Sequence, residues 1–190
     1  MKNIFIIILT FLSLILYGQN NMNEQLKNLF LDLDLTSNPK IMANNSFLKF
    51  EYMVRQGISW GKTGGNTSNF VAKFDKNPLI ESRIKEGQIT IIQKDEEIQS
   101  GTFSINERIW FYNYEDMMNE YRKISSSFEK LGYRVKNTIV ENDNFETKNE
   151  ITEILMKTDS KKSTLTIGYH LPSKDEEDKV YFLAFVYNNY

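Results

Sequence analysis

Cysteine is absent from the sequence. Thiol nucleophiles, thiolate metal sites and redox dithiols are therefore excluded, as are a disulfide scaffold and lipid attachment through a leader cysteine. His170 is the only histidine. Catalytic zinc of the common two- or three-histidine kind lacks its ligands, and a Ser-His-Asp triad would have to use His170 in a chain without a Gly-x-Ser-x-Gly elbow. A basic excess is missing too: 23 Lys and Arg stand against 25 Asp and Glu, interleaved along the chain, for a formal charge of −2. Binding along phosphate backbones calls for a basic stripe, so nucleic acid is not an expected partner. No proline- or serine-rich linker divides the chain.

What is present starts with the address. Lys2 gives a positive start, Ile4 to Leu16 is apolar apart from Thr10 and Ser13, and Gly18 is a small residue just before polar Gln19, Asn20 and Asn21. Residues 1–18 read as a signal peptide, although Leu16 is bulkier than the alanine preferred three residues before the cut. The apolar run falls short of the roughly 20 residues that span a bilayer. The expected location is periplasmic or secreted, and a membrane anchor only if the leader is retained. Cleavage leaves residues 19–190, enough for one domain with a proper core, and removes Lys2 so that the charge becomes −3.

Periodicity gives an α+β fold with antiparallel sheet and two helices. Met22, Leu26, Leu29, Phe30 and Leu33 fall on one side of a short helix that Ser37, Asn38 and Pro39 are expected to end. In the second helix Asn113 is the cap, and Tyr114, Met117, Met118, Tyr121, Ile124, Phe128 and Leu131 form the apolar stripe before Gly132. Strand signals lie near Phe47 to Met53, Asn69 to Phe74, Gln88 to Gln93, Ile98 to Ile105 and Arg108 to Tyr112. After the second helix they recur near Tyr133 to Val140, Ile151 to Lys157, Thr164 to Leu171 and Lys179 to Tyr187. Two similar helix-plus-four-strand blocks, 22–113 and 114–190, fit this order, as does one sheet with both helices on one face. The order is similar to that of exported inhibitors such as those that block β-lactamases, in shape alone, since no diagnostic residues accompany it.

Val180 to Tyr187 is apolar at both parities, which places the last strand centrally and leaves Phe182 and Val186 for a second layer or a partner. The segment from Gly57 to Thr63 has three residues, not four, between its first glycine and Gly61-Lys62, so it is not a phosphate-binding loop. Through Asn66 it reads as a long flexible hairpin loop. Tyr52, Arg55, Trp60, Lys62 and Asn66 are the candidate binding residues there, because Trp, Tyr and Arg combine contact area with hydrogen-bonding groups. Lys174 to Lys179 lacks the ligand spacing of a calcium loop. No catalytic residue, metal ligand or cofactor follows from the sequence. The expectation is a non-catalytic binding protein with a protein partner and no defined oligomeric state. Alternatives are an inhibitor or immunity-type protein, a carboxylate-based hydrolase drawing on residues such as Glu51, Glu107 or Glu153, and a carrier of an apolar ligand.

Overall fold

The structure, a computed structural model, describes residues 24–59, 62–94, 101–131, 135–141, 148–157, 162–172 and 179–189, with side chains described except at 56–59, 62–65, 135–141, 148–157 and 162. Residues 1–23, on which the signal-peptide expectation falls, Trp60 and residues 173–178 lie outside the described residues. Helix α1 covers residues 24–29, α2 Pro39–Asn45 and α3 Tyr114–Lys130. Strands β1 (Glu51–Ser59), β2 (Lys62–Phe74), β3 (Ile84–Lys94) and β4 (Phe103–Phe111) precede α3. Strands β5 (Val135–Glu141), β6 (Lys148–Lys157), β7 (Lys162–His170) and β8 (Tyr181–Asn189) follow it. They form one eight-stranded antiparallel sheet in the order β1-β2-β3-β4-β8-β7-β6-β5. Each half is a four-strand meander, and the halves meet where β4 pairs with β8, Glu107 opposite Phe185. The tandem arrangement and the single sheet are thus the same object.

The described helices number three, one more than the sequence suggested. Asn38 and Pro39 do not end the first helix but start a second: the Asn38 side chain accepts a hydrogen bond from Ile41 N at 2.9 Å, with proline at the first helical position. That pairing is a start signal, because proline lacks only an N–H that would be orphaned there. The first helix ends earlier, at Leu31 and Asp32, which hold φ of 54° and 61°. Two consecutive non-glycine residues in this region are strained. Burial of Leu31, 2% exposed, compensates, as does the bond from Asp32 N to Lys27 O at 2.7 Å.

Two further expectations are corrected. The proposed break between Ile105 and Arg108 does not exist, because Asn106 and Glu107 sit inside β4, paired with Thr90 and Ile89. Pairing on both sides overrides their turn propensity. The supposed long loop through Asn66 is mostly hairpin: Ser59 pairs with Lys62, and Gln56 with Asn66, with an irregularity between Gln56 and Ile58. Gly57 falls in that bulge, a usual place for an unpaired glycine. Gly64 and Gly65 lie within β2.

The helices share one face of the sheet. Met117, Met118, Tyr121, Ile124 and Phe128 of α3 are buried with Ile105, Ile109, Leu165, Ile167, Leu183 and Phe185 of the strands, and with Leu29 of α1, Phe30 just after it and Met42 of α2. Each large apolar side chain so buried contributes about 1.5–3 kcal/mol. The Asn113 cap is as expected, accepting from Asp116 N at 2.8 Å. Tyr114 departs from the stripe, being 42% exposed against Tyr181. Gln25 of α1 donates to Ser127 of α3, tying the two blocks' helices together.

Candidate functional site

The opposite face of the sheet carries the candidate site. Strand alternation sends Phe103, Ile105, Ile109 and Phe111 into the core, so Arg108 and Trp110 must point the other way. On β8 the same rule exposes Phe182, Ala184 and Val186, and on β7 Thr166, Gly168 and His170. Register then makes rows. Trp110 lies opposite Phe182, and Phe182 opposite His170; the next row is Arg108, Ala184 and Gly168. The Trp110 and Phe182 ring centroids are 5.9 Å apart, the His170 ring stacks on Phe182 at 4.7 Å and 13°, and the Arg108 guanidinium lies 5.8 Å from the Phe182 centroid. A shallow groove of about 180 Å³ runs over Gly168 and Ala184 between His170, Phe182 and Val186.

The chemistry is that of a receptor for side chains. Three rings offer faces and edges, the guanidinium offers donors, and the small floor residues leave room for an inserted aliphatic or aromatic group. One end of the patch is polar. Ser104 Oγ and Asn188 Oδ1 are 2.7 Å apart, and the Asn188 amide donates to Thr164 Oγ1 at 3.3 Å, so these groups hold one another in place beside the aromatic row. No second layer covers this face among the described residues.

Of the five residues picked from the sequence, Tyr52, Arg55 and Asn66 are described with their side chains, and they divide between the two faces. Tyr52 and Asn66 have the parity of Phe70, on the helix side, whereas Arg55, opposite Thr67, has the parity of the open face. Tyr52 rests on Phe70 with ring centroids 5.2 Å apart. Only the backbone of Lys62 is described, and Trp60 lies outside the described residues. The row that sequence reasoning missed had a signal. A tryptophan at the polar parity of an alternating strand, Arg108-Ile109-Trp110-Phe111, is out of pattern in the same way as Phe182 and Val186.

Two buried carboxylates sit on the helix side. Glu107 is fully buried; Oε1 accepts from Asn77 Nδ2 at 2.8 Å and Oε2 has no partner among the described residues. Burial pushes its carboxyl well above the usual range, against the opposing pull of the Asn77 bond. Asn77 also donates to Leu29 O at 2.9 Å and accepts from Leu79 N at 2.9 Å, so it ties the β2–β3 connection to α1 and β4. Glu120, 3% exposed, accepts from Glu81 N, Ser82 N and Ser82 Oγ at 3.0, 2.7 and 2.8 Å. Both carboxyls hold chain segments, and neither opens on the aromatic face.

A larger groove of about 1000 Å³ lies beside the β2–β3 connection. Phe47, Phe74, Ile84 and Tyr112 alternate there with charged Lys73, Asp75, Lys76, Glu81 and Arg83. Among the described residues no group of three or more His, Asp or Glu side chains is placed to hold a metal ion. No described helix is long and apolar enough to cross a membrane. Compared with family models, curated proteins and solved structures, the chain matches none.

Proposed function

We propose that this chain is an exported, non-catalytic binding protein that takes a protein partner on the open face of its sheet. The observation that carries the reading is the half-buried row Trp110, Phe182 and His170 with Arg108 above a small-residue floor. Solvated antiparallel sheets present polar side chains outward. An aromatic row in that position costs solvation in the free protein and is offset when a partner covers it. The leader 1–18 supports delivery to the periplasm or exterior, or to a membrane surface if it is retained. An inhibitor or immunity-type protein is the narrower form of the same reading, in which the covered partner is an enzyme.

The other readings have weaker support. A carboxylate hydrolase needs its acids in a cleft, whereas Glu107 and Glu120 are buried. A carrier of apolar cargo needs an enclosed dry cavity, whereas the larger groove is bordered by five charged residues.

The test is affinity capture from the envelope or secreted fraction with the immobilised chain, followed by titration of the captured protein. Trp110→Ala with Phe182→Ala is expected to weaken binding about 30-fold or more, the equivalent of roughly 2 kcal/mol for loss of central aromatic anchors. Tyr114→Ala, on the helix side, is the control and leaves binding unchanged. Undiminished capture by a natively folded double variant would sink the proposal.

A further inference from the structure

The edge of the sheet at β1 is self-complementary, and we propose that two copies of this chain pair there as an antiparallel homodimer about Met53. Strand β1 ends the strand order, so one side of its backbone pairs with β2 and the other faces no described strand. Edge strands left this way invite pairing unless charge, proline or a bulge blocks them. Residues 51–55 contain no proline, and the irregularity in β1 comes only after Gln56.

The side chains give the register. Antiparallel pairing of identical strands about a two-fold axis at residue 53 sets residue 51 opposite 55 and residue 52 opposite 54 of the other copy. Glu51 would then face Arg55, and Arg55 face Glu51, both at the parity of the open face. Tyr52 would face Val54, and Val54 face Tyr52, on the helix side. Tyr52 is 59% and Val54 56% exposed, the only large apolar strand residues so exposed among the described side chains. Glu51 and Arg55 are exposed, and neither has an ion-pair partner among the described side chains. Opposite charges and aromatic–β-branched pairs directly across a ladder are the favourable cross-strand combinations. A shift of the axis by one residue either way loses both matches, placing Glu51 against Met53 or against residue 57. The strand thus specifies one partner, itself, in one register.

Charge reversal and crosslinking in the full chain test this. The native chain is expected to sediment as a dimer. Glu51→Arg alone or Arg55→Glu alone creates two like-charge pairs per interface and is expected to weaken association about tenfold or more. The double reversal Glu51→Arg with Arg55→Glu restores both pairs and the dimer. Because the chain has no cysteine, a single introduced thiol reports geometry cleanly. Met53→Cys puts two thiols directly opposite, within disulfide reach, and is expected to give a disulfide dimer on mild oxidation. Glu51→Cys separates its two copies by four residues along the ladder, about 13 Å, and should not crosslink. A native chain that stays monomeric up to its solubility limit overturns the proposal. So do crosslinking of both cysteine variants equally, crosslinking of neither, or a double reversal no better than the single ones.

Discussion

Replacing Glu107 by Gln should make the protein more stable at neutral pH while leaving the fold intact. In the native state the carboxyl is fully buried, with one hydrogen bond from Asn77 and no partner for its second oxygen among the described residues, so burial holds its pKa well above the ordinary value of 4.5. In the unfolded chain it ionises near that ordinary value. Above pH 4.5 the native state therefore binds one more proton than the unfolded state. Stability present below pH 4.5 is lost as pH rises toward the native pKa, at about 1.4 kcal/mol per pH unit. For a chain of this size that slope lowers Tm by roughly 3–5 °C per unit. Glutamine cannot ionise and keeps an oxygen for the Asn77 amide, so this part of the slope disappears. At pH 4 the amide gains nothing, because its extra N–H has no partner and costs about 1–2 kcal/mol. The two melting curves should draw together and cross as pH rises above 4.5, with Glu107→Gln leading beyond the crossing. Calorimetry or circular dichroism melts of both proteins from pH 4 to 8 make the comparison. Asp34, lowered by its bonds from Ser37 and Thr36, titrates at the acid end and is common to both proteins, so it cancels in the difference. Parallel Tm profiles across this range would refute the assignment of a neutral, solvent-excluded acid.

Two packing predictions concern the same side of the sheet. Asn77→Ala leaves Leu29 O and Glu107 Oε1 without their donor and frees the β2–β3 connection, so urea unfolding should show a loss of about 2–4 kcal/mol. Gly87 has the Phe74 ring lying where a side chain would begin. Gly87→Ala should destabilise by about 1–3 kcal/mol, and adding Phe74→Leu should recover part of that loss. If Gly87→Ala melts like the native chain, Phe74 does not cover that position.

The sequence made the core legible because burial on one face imposes a period, and the stripe from Met117 to Phe128 has no other explanation. It made most strands legible for the same reason, but β1 begins at Glu51 rather than Phe47, and the hairpin residues up to Ser59 and from Lys62, like Asn106 and Glu107, join strands because pairing with neighbours that cannot be known in advance overrides local turn propensity. The start of α2 is also visible, in Asn38-Pro39, but the same pair serves equally to end a helix, and the one that follows is only seven residues long. The candidate site was half legible. Phe182 and Val186 stand out because β8 is apolar at both parities, yet their meaning depends on β8 lying beside both β4 and β7. Trp110 and His170 come from strands separated by 60 residues, and only register brings them onto the same ring. The hairpin residues attracted attention through residue type alone, and alternation then divides Tyr52 from Arg55.

Twist decides how the proposed dimer and the proposed binding face combine. From β4 of one copy to β4 of the other, across two paired β1 strands, there are seven strand-to-strand steps. At about 4.8 Å per step the two Trp110 rows would lie roughly 34 Å apart. Each step also rotates the strands by about 20–25°, so over seven steps the two faces turn through roughly 140–175° and point in nearly opposite directions. One compact partner therefore cannot bridge both rows, and the dimer offers two independent sites rather than one bivalent surface. Binding of a captured partner should show two equal sites per dimer, with the same affinity for the native chain and for Arg55→Glu. A large loss of affinity in Arg55→Glu would mean that both copies contribute to one site, and that the sheet is much flatter across the seam than an ordinary antiparallel ladder.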